Sequence, residues 1–391
     1  MISIKEAYGK IIDNIEPLEG FRMTLSNSSG YFLSKDVISP INMPPFRQSA
    51  MDGFAIHIHD LESYQLIGEI KAGDNDRPIL KPGEAIRIFT GAAVPDTANA
   101  VVMQEKVTVV DNSIVIHGNI NKGLNIRPLG EQIKSEETAL KKGTLLTPAA
   151  IGFLASLGIT EVSVYKKPSI AIVTTGNELV APGTHLQYGQ IYESNAIMLV
   201  SALQVLGFSN YKTYKVEDNY DNTYNLLQDV ISKYDIVLIT GGISVGDYDF
   251  VGKALKALDV NEIFYKVKQK PGKPLFFGNK NKTTIFALPG NPAAALNCFY
   301  IYVYTALQLL SGNSTFQLPK TEKKSTSTFT KKGDRPQFLK AVIKEESVTI
   351  LDGQSSAMLQ TFALANGLVF LPEEIMQVNI GDTVNVITLP N

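Results

Sequence analysis

The sequence predicts a multidomain α/β protein with a central βαβ domain built on a parallel sheet. Three observations predict it. Between Lys167 and about Asn313, the aliphatic runs SIAIVTTG, DIVLITGG and TTIFALPG alternate with helical stretches such as SNAIMLVSALQVLG and NTYNLLQDVISKY. From Met43 to about Gln132 the pattern is short and β-rich, with turns such as GEIKAGDN and KPGEA between alternating runs. From about Lys320 the helices stop, and QFLKAVI, SVTILDG, GLVFLP and TVNVITL read as the short strands of a small barrel or sandwich.

The remaining elements follow in chain order. MISIKEAYGKIIDNIEP reads as an amphipathic helix with acids inside it. It has no apolar central region and no cleavage site, so it is not read as a signal peptide. TPAAIGFLASLGI reads as a helix with Thr147 as its N-cap, Pro148 at the first helical position and Gly158 at its C-terminal end. AAALNCFYIYVYTAL reads as a helix that buries Cys298. KKSTSTFTKKGD marks a boundary, or a loop near one, before the last domain. A length of 391 residues exceeds one ordinary core and suits two to four domains.

Composition narrows the function class. Hydrophobic residues make up 44% and charged residues 19%, as in ordinary globular proteins. The formal net charge of −2 gives no global attraction to nucleic acid. No run of about 18 uncharged apolar residues is read, so no membrane span is expected. One cysteine excludes an internal disulfide and points to a reducing compartment. His57 and His59 share one face of a strand without an obvious third ligand, so a histidine metal site is not expected.

In an open parallel sheet, ligands bind beyond the carboxyl ends of the strands. Three such ends carry unusual turns here. The first has Thr174, Thr175 and Gly176 with Glu178 just after; the second has Thr240, Gly241 and Gly242, then Ser244, Gly246, Asp247 and Asp249; the third has Pro289, Gly290, Asn291 and Pro292. Glycines let a backbone approach a ligand, and amides at a helix start favour an anion. None of the turns matches GxGxxG or GxxxxGK[ST], so no ordinary nicotinamide or Walker site is supported. Lys266, Lys268, Lys270 and Lys273 surround a Pro-Gly corner, and a strand through 266–270 would place the first three on one face. Their mutual repulsion calls for an anion or carboxylates among them. Glu178, Asp218, Asp247 and Asp249 offer oxygen ligands suited to Mg²⁺.

These residues carry a resemblance. SAMDGFA at 49–55, RIFTGAAVP at 87–95, TTGNEL, TGGISVGDYD, KPGKP and LPGNP occur in this order, and the chain resembles the MoeA family over nearly its whole length. These are molybdopterin molybdenumtransferases, related to the C-terminal domain of gephyrin. The resemblance implies a discontinuous helical domain I (1–43 and 133–166), a β-rich domain II (44–132), a MogA-like molybdopterin-binding domain III (167–315) and a β-barrel domain IV (316–391). It also implies an elongated homodimer. Each cleft would lie between domain II of one subunit and domains III and IV of the other. The N-terminal helix is expected to pack on domain III.

The implied activity is insertion of molybdate into adenylylated molybdopterin with release of AMP, aided by Mg²⁺ or another divalent cation. Asp52, Thr90, Glu178, Asp218, Asp249, Lys266 and Lys270 match the family's catalytic positions, with Glu178, Asp218 and Asp249 as metal carboxylates. Thr175, Gly176, Gly241, Gly242, Ser244, Pro289, Gly290, Asn291 and Pro292 correspond to its substrate-binding turns. Lys270, Lys273, Arg335 and Ser356 resemble its molybdate site. Three departures stand out: Gln132 where an acid is common, Ser355-Ser356 where a Gly-Ser pair is usual, and Phe54 where Tyr is frequent. A cytoplasmic enzyme is implied, acting on small molecules and working with a MogA-like adenylyltransferase. Two other readings are a molybdopterin adenylyltransferase, similar only to 167–313, and a gephyrin-like scaffold.

Overall fold

A computed structural model describes residues 1–243 and 250–390. Ser244, Asp247 and Asp249 therefore lie outside the described residues. The chain divides into two compact units: Arg22–Ser29 with Lys35–Ser163, and Met1–Phe21 with Gly30–Ser34 and Val164–Asn391.

The smaller unit is built on a six-stranded sheet in the order Ala100–Met103, Gly53–Ile56, Glu84–Ile88, Ser63–Ile70, Ser113–Ile116, Val107–Val110. Both faces of its centre are covered. Ala55, Ile86, Ile88 and Val101 pack on one side, and Phe54, Ile56, Ala85 and Val102 on the other. Alternate residues of a strand point to opposite faces, so the all-apolar run GFAI suits a two-sided core. The helix Pro148–Ser156 has the anticipated ends: Thr147 accepts from the Ala150 amide at 3.2 Å, and Gly158 takes a left-handed φ of 79°.

In the larger unit, a six-stranded sheet runs Tyr211–Val216, Ile170–Thr175, Ile236–Thr240, Thr283–Leu288, Phe276–Lys280, Asn261–Tyr265. The first four strands are parallel. Phe276–Lys280 runs antiparallel to both its neighbours. The three strands with aliphatic runs are fully buried, as strands covered on both faces must be. Ile170, Ile172, Ile236, Leu238, Phe286 and Leu288 face one core, shared with Ala7, Ile11 and Leu199. Ala171, Val173, Val237, Ile239, Ile285 and Ala287 face the other, shared with Leu227, Val230 and Leu255. The N-terminal helix, Ile4–Asp13, thus packs in the first core, and its start is fixed by a capping box between Ser3 and Glu6.

One expectation needs correction. Pro292–Leu310 is a continuous helical run of 19 residues with no charged side chain, long and apolar enough by that measure to cross a membrane. Its tyrosines, Asn297 and Gln308 interrupt the apolar run without adding charge. Ala293, Leu296, Phe299, Ile301, Tyr302 and Leu307 lie in the first core, so here it is a central core helix.

The C-terminal strands Lys320–Ser325, Ser347–Ile350, Gln337–Ile343, Gly367–Leu371 and Thr383–Thr388 close into a five-stranded barrel. Leu339, Ala341, Val348, Val369, Leu371 and Val386 fill it. Of the barrel and sandwich alternatives, the barrel is the one formed.

Candidate functional site

The carboxyl ends of the parallel strands carry the first cavity. Register sets this: Thr174 pairs with Thr240, and Thr240 with Leu288, so the three following turns emerge side by side. The cavity measures about 680 Å³. Thr175, Gly176, Gly241, Gly242, Pro289, Gly290, Asn291 and Pro292 line it, together with Glu178, Asp218, Lys266 and Lys273. Gly241 is required where it stands: its φ is 90°, and a Cβ there would meet the Thr175 carbonyl oxygen at 2.5 Å. Asp218 is oriented by Thr175, whose hydroxyl donates to Oδ1 at 2.6 Å. Asn195 also lines this cavity and ties two turns together. Its amide donates to Thr240 Oγ1 at 2.7 Å and to the Gly290 carbonyl at 2.9 Å.

A second cavity of about 610 Å³ adjoins the first and shares Lys273, Pro274, Pro289 and Asn291 with it. Lys270, Lys273, Arg335 and Ser356 all line it, with Lys332, Gln337 and Gln354 beside them. These residues come from the KPGKP corner and from two segments of the barrel region. The corner is fastened to the barrel through backbone: the Lys270 amide donates to Pro336 O, and the Phe338 amide donates to Lys270 O, each at 2.9 Å. Arg335 Nη1 donates to Gln269 O at 3.0 Å, which holds the guanidinium against the same corner. Ser356 Oγ accepts from Asn291 Nδ2 at 3.0 Å. Beneath the corner, buried Gln269 donates to Gly272 O at 2.9 Å and accepts from the Tyr302 hydroxyl at 2.5 Å. Gly272 leaves no room for a side chain, because a Cβ would sit 2.4 Å from Cys298 Sγ.

The lysine pattern departs from the strand reading. The strand ends at Tyr265, and Lys266 takes a φ of 71°, which breaks the alternation. Lys266 and Lys273 reach the first cavity, whereas Lys270 and Lys273 reach the second. Lys268 turns instead to Glu373 at 2.5 Å and Asp334 at 3.5 Å. The Glu373 hydrogen bond raises its pKa first of all, and Asp334 adds to the effect.

Asp52 and Thr90 belong to the smaller unit. Asp52 Oδ1 accepts from both the amide and the hydroxyl of Thr90, each at 2.7 Å. These bonds hold the carboxyl below its ordinary range, with a smaller contribution from Arg87. His57 and His59 are spent on carbonyls, those of Leu80 at 3.0 Å and Ser63 at 2.8 Å.

Glu178, Glu193 and Asp218 are the described carboxylates on the first cavity wall, and Glu193 accepts from the Ala196 amide at 2.8 Å. Among the described residues, no three His, Cys, Asp or Glu side chains converge on a closed metal cage. Glu178 and Asp218, in a cavity with lysines and glycine turns, fit a hard cation that completes its shell with phosphate oxygens and water.

Comparison with known proteins agrees with this architecture. Residues 2–158 match the MoeA N-terminal region (domain I and II), 171–309 a probable molybdopterin binding domain, and 323–389 the MoeA C-terminal region (domain IV). The molybdopterin molybdenumtransferase 2 of Mycobacterium tuberculosis is 31% identical, with 99% of each chain covered. The chain belongs to the MoeA family. A second relative of this MoeA-family chain, the molybdopterin molybdenumtransferase of Haemophilus influenzae, is 32% identical, over 99% of this chain and 98% of that one. The crystal structure of a molybdopterin biosynthesis MoeA protein from Pyrococcus horikoshii superposes with a TM-score of 0.86 at 27% identity, covering 99% and 100% of the two chains.

Sequence reasoning missed Asn195, Lys332 and Gln354. Asn195 had a faint signal, a Ser-Asn pair opening an apolar helix. Lys332 and Gln354 had none, because only the closed barrel brings their loops to the KPGKP corner.

Proposed function

We propose that this MoeA-family chain is a molybdopterin molybdenumtransferase. It binds adenylylated molybdopterin, receives molybdate and releases AMP, giving the molybdenum cofactor. One observation carries the reading: four side chains that can hold a tetrahedral oxyanion, Lys270, Lys273, Arg335 and Ser356, line one cavity beside a second cavity walled by glycine turns. Charge-assisted hydrogen bonds from ammonium and guanidinium groups suit a dianion such as molybdate. Thr175, Gly176, Gly241, Gly242, Ser244 and Pro289–Pro292 are assigned to the phosphate-bearing pterin and its nucleotide. Lys273 lies on both walls and would bridge the substrates.

Glu178 and Asp218, with Asp249, would hold Mg²⁺ or a similar cation. The chemistry such a cation would supply there is neutralisation of phosphate charge. Lys266 adds a second positive charge there. Asp52 and Thr90 are assigned to the same reaction but supplied by the partner subunit of a homodimer. We assign the enzyme to the cytoplasm, where a MogA-like adenylyltransferase would hand over its substrate.

The test is turnover with purified protein. AMP release from adenylylated molybdopterin that rises with molybdate supports the transferase. Consumption of ATP with free molybdopterin, and no response to molybdate, would favour the adenylyltransferase instead.

A further inference from the structure

Lys340 is a charged residue inside the barrel strand Gln337–Ile343, with 3% of its surface exposed. Its ammonium donates to three carbonyls: Gly353 at 2.8 Å, Ser355 at 3.1 Å and Met358 at 3.2 Å. All three belong to one short loop that follows the strand Ser347–Ile350. Among the described residues this ammonium is met by carbonyls rather than by a carboxylate. The same backbone grips the loop a second time. The Lys340 amide donates to Gln354 Oε1 at 2.9 Å, and Gln354 Nε2 donates to Lys340 O at 2.8 Å.

Burying an ammonium is costly unless every donor is satisfied. A methionine would fill the same space without that cost. Tetrahedral donors that converge on three carbonyls of one loop give a geometric reason for the charge. Burial pushes this ammonium down to about 8, which still leaves it mostly protonated near neutral pH. The loop it holds carries Gln354, Ser355 and Ser356 onto the wall of the oxyanion cavity and Ala357 onto the wall of the first. Its far side is seated by the Ala294 amide, which donates to Ser356 O at 3.1 Å.

We propose that Lys340 is a positioning residue for the molybdate subsite: from the outer face of its barrel strand, opposite Leu339 and Ala341, it fixes the Gly353–Met358 loop so that Ser356 faces Lys270, Lys273 and Arg335. It acts through the loop and does not touch the anion. The inference rests on the molybdate reading of that cavity, so its test carries Ser356→Ala as a reference.

The experiment measures KM for molybdate, kcat at saturating molybdate and the dissociation constant for AMP. It compares wild type, Ser356→Ala, Lys340→Met and Lys340→Arg, each checked by melting temperature. Lys340→Met should raise the molybdate KM about tenfold or more while kcat and AMP binding stay within about twofold. Lys340→Arg keeps the charge and should recover part of that loss. An unchanged molybdate KM in Lys340→Met, or equal losses for both ligands, overturns the proposal. If Lys340→Met does not fold, Lys340→Arg decides alone: it must weaken molybdate selectively, and wild-type molybdate kinetics would overturn the idea. If Ser356→Ala leaves molybdate kinetics untouched, the molybdate reading of the cavity itself is at fault.

Discussion

At the scale of single residues, the lysines around KPGKP divide into two kinds. Lys270 and Lys273 face a cavity, whereas Lys268 is satisfied by Glu373 and Asp334. An exposed ion pair contributes little to stability and nothing to an anion site it does not face. Lys268→Ala should therefore keep AMP release within about twofold of wild type, whereas loss of a donor to the reacting anion in Lys270→Ala should cost about a hundredfold or more. Equal losses in the two variants, measured in one assay, would show that the cluster acts only through its summed charge. The sequence displayed both lysines alike, because period-two alternation assumes an unbroken strand and Lys266 breaks it at φ 71°. Lys340 was hidden for the opposite reason. A lysine in QFLKAVI reads as the solvent-facing member of an alternating strand, yet the loop folded over it makes it nearly inaccessible.

At the scale of elements, three parallel strands and their turns were legible because buried parallel strands are written as continuous aliphatic runs. Phe276–Lys280 was not legible. PLFFGNK is short, carries a glycine and a lysine, and becomes a strand only by pairing back onto Thr283–Leu288. The core helix around Cys298 was legible as one that buries its thiol. Cys298 is fully buried, and burial pushes its pKa well above the ordinary thiol range. A thiol reagent should leave the native protein unlabelled over hours at pH 8 and label Cys298 promptly in denaturant. Rapid labelling under native conditions would mean that the helix opens readily and that the wall behind Gly272 is loose.

For the whole molecule, ordered motifs spread over nearly the full length made the family readable, although no single turn matched a common nucleotide fingerprint. Subunit arrangement is a different matter, since a motif does not record which copy of the chain supplies it. We propose that Asp52 and Thr90 serve the partner's cleft. Asp52→Asn and Lys270→Ala should each be inactive alone, and a mixed dimer should regain activity, because one of its two clefts then receives both wild-type residues. A purified, doubly tagged heterodimer with no AMP release, from variants that are each folded and dimeric, would place all these residues in one chain's cleft. The central claim is chemical, that the cavity of Lys270, Lys273, Arg335 and Ser356 receives molybdate. Arg335 probes it best, since one guanidinium nitrogen is anchored on Gln269 O and the planar group can still offer paired donors to an oxyanion. The decisive measurement is AMP release titrated with molybdate in wild type, Arg335→Ala and Arg335→Lys, alongside AMP binding. The account predicts that both variants lose at least about tenfold in molybdate response, with AMP affinity nearly unchanged; an intact molybdate response in both would contradict it.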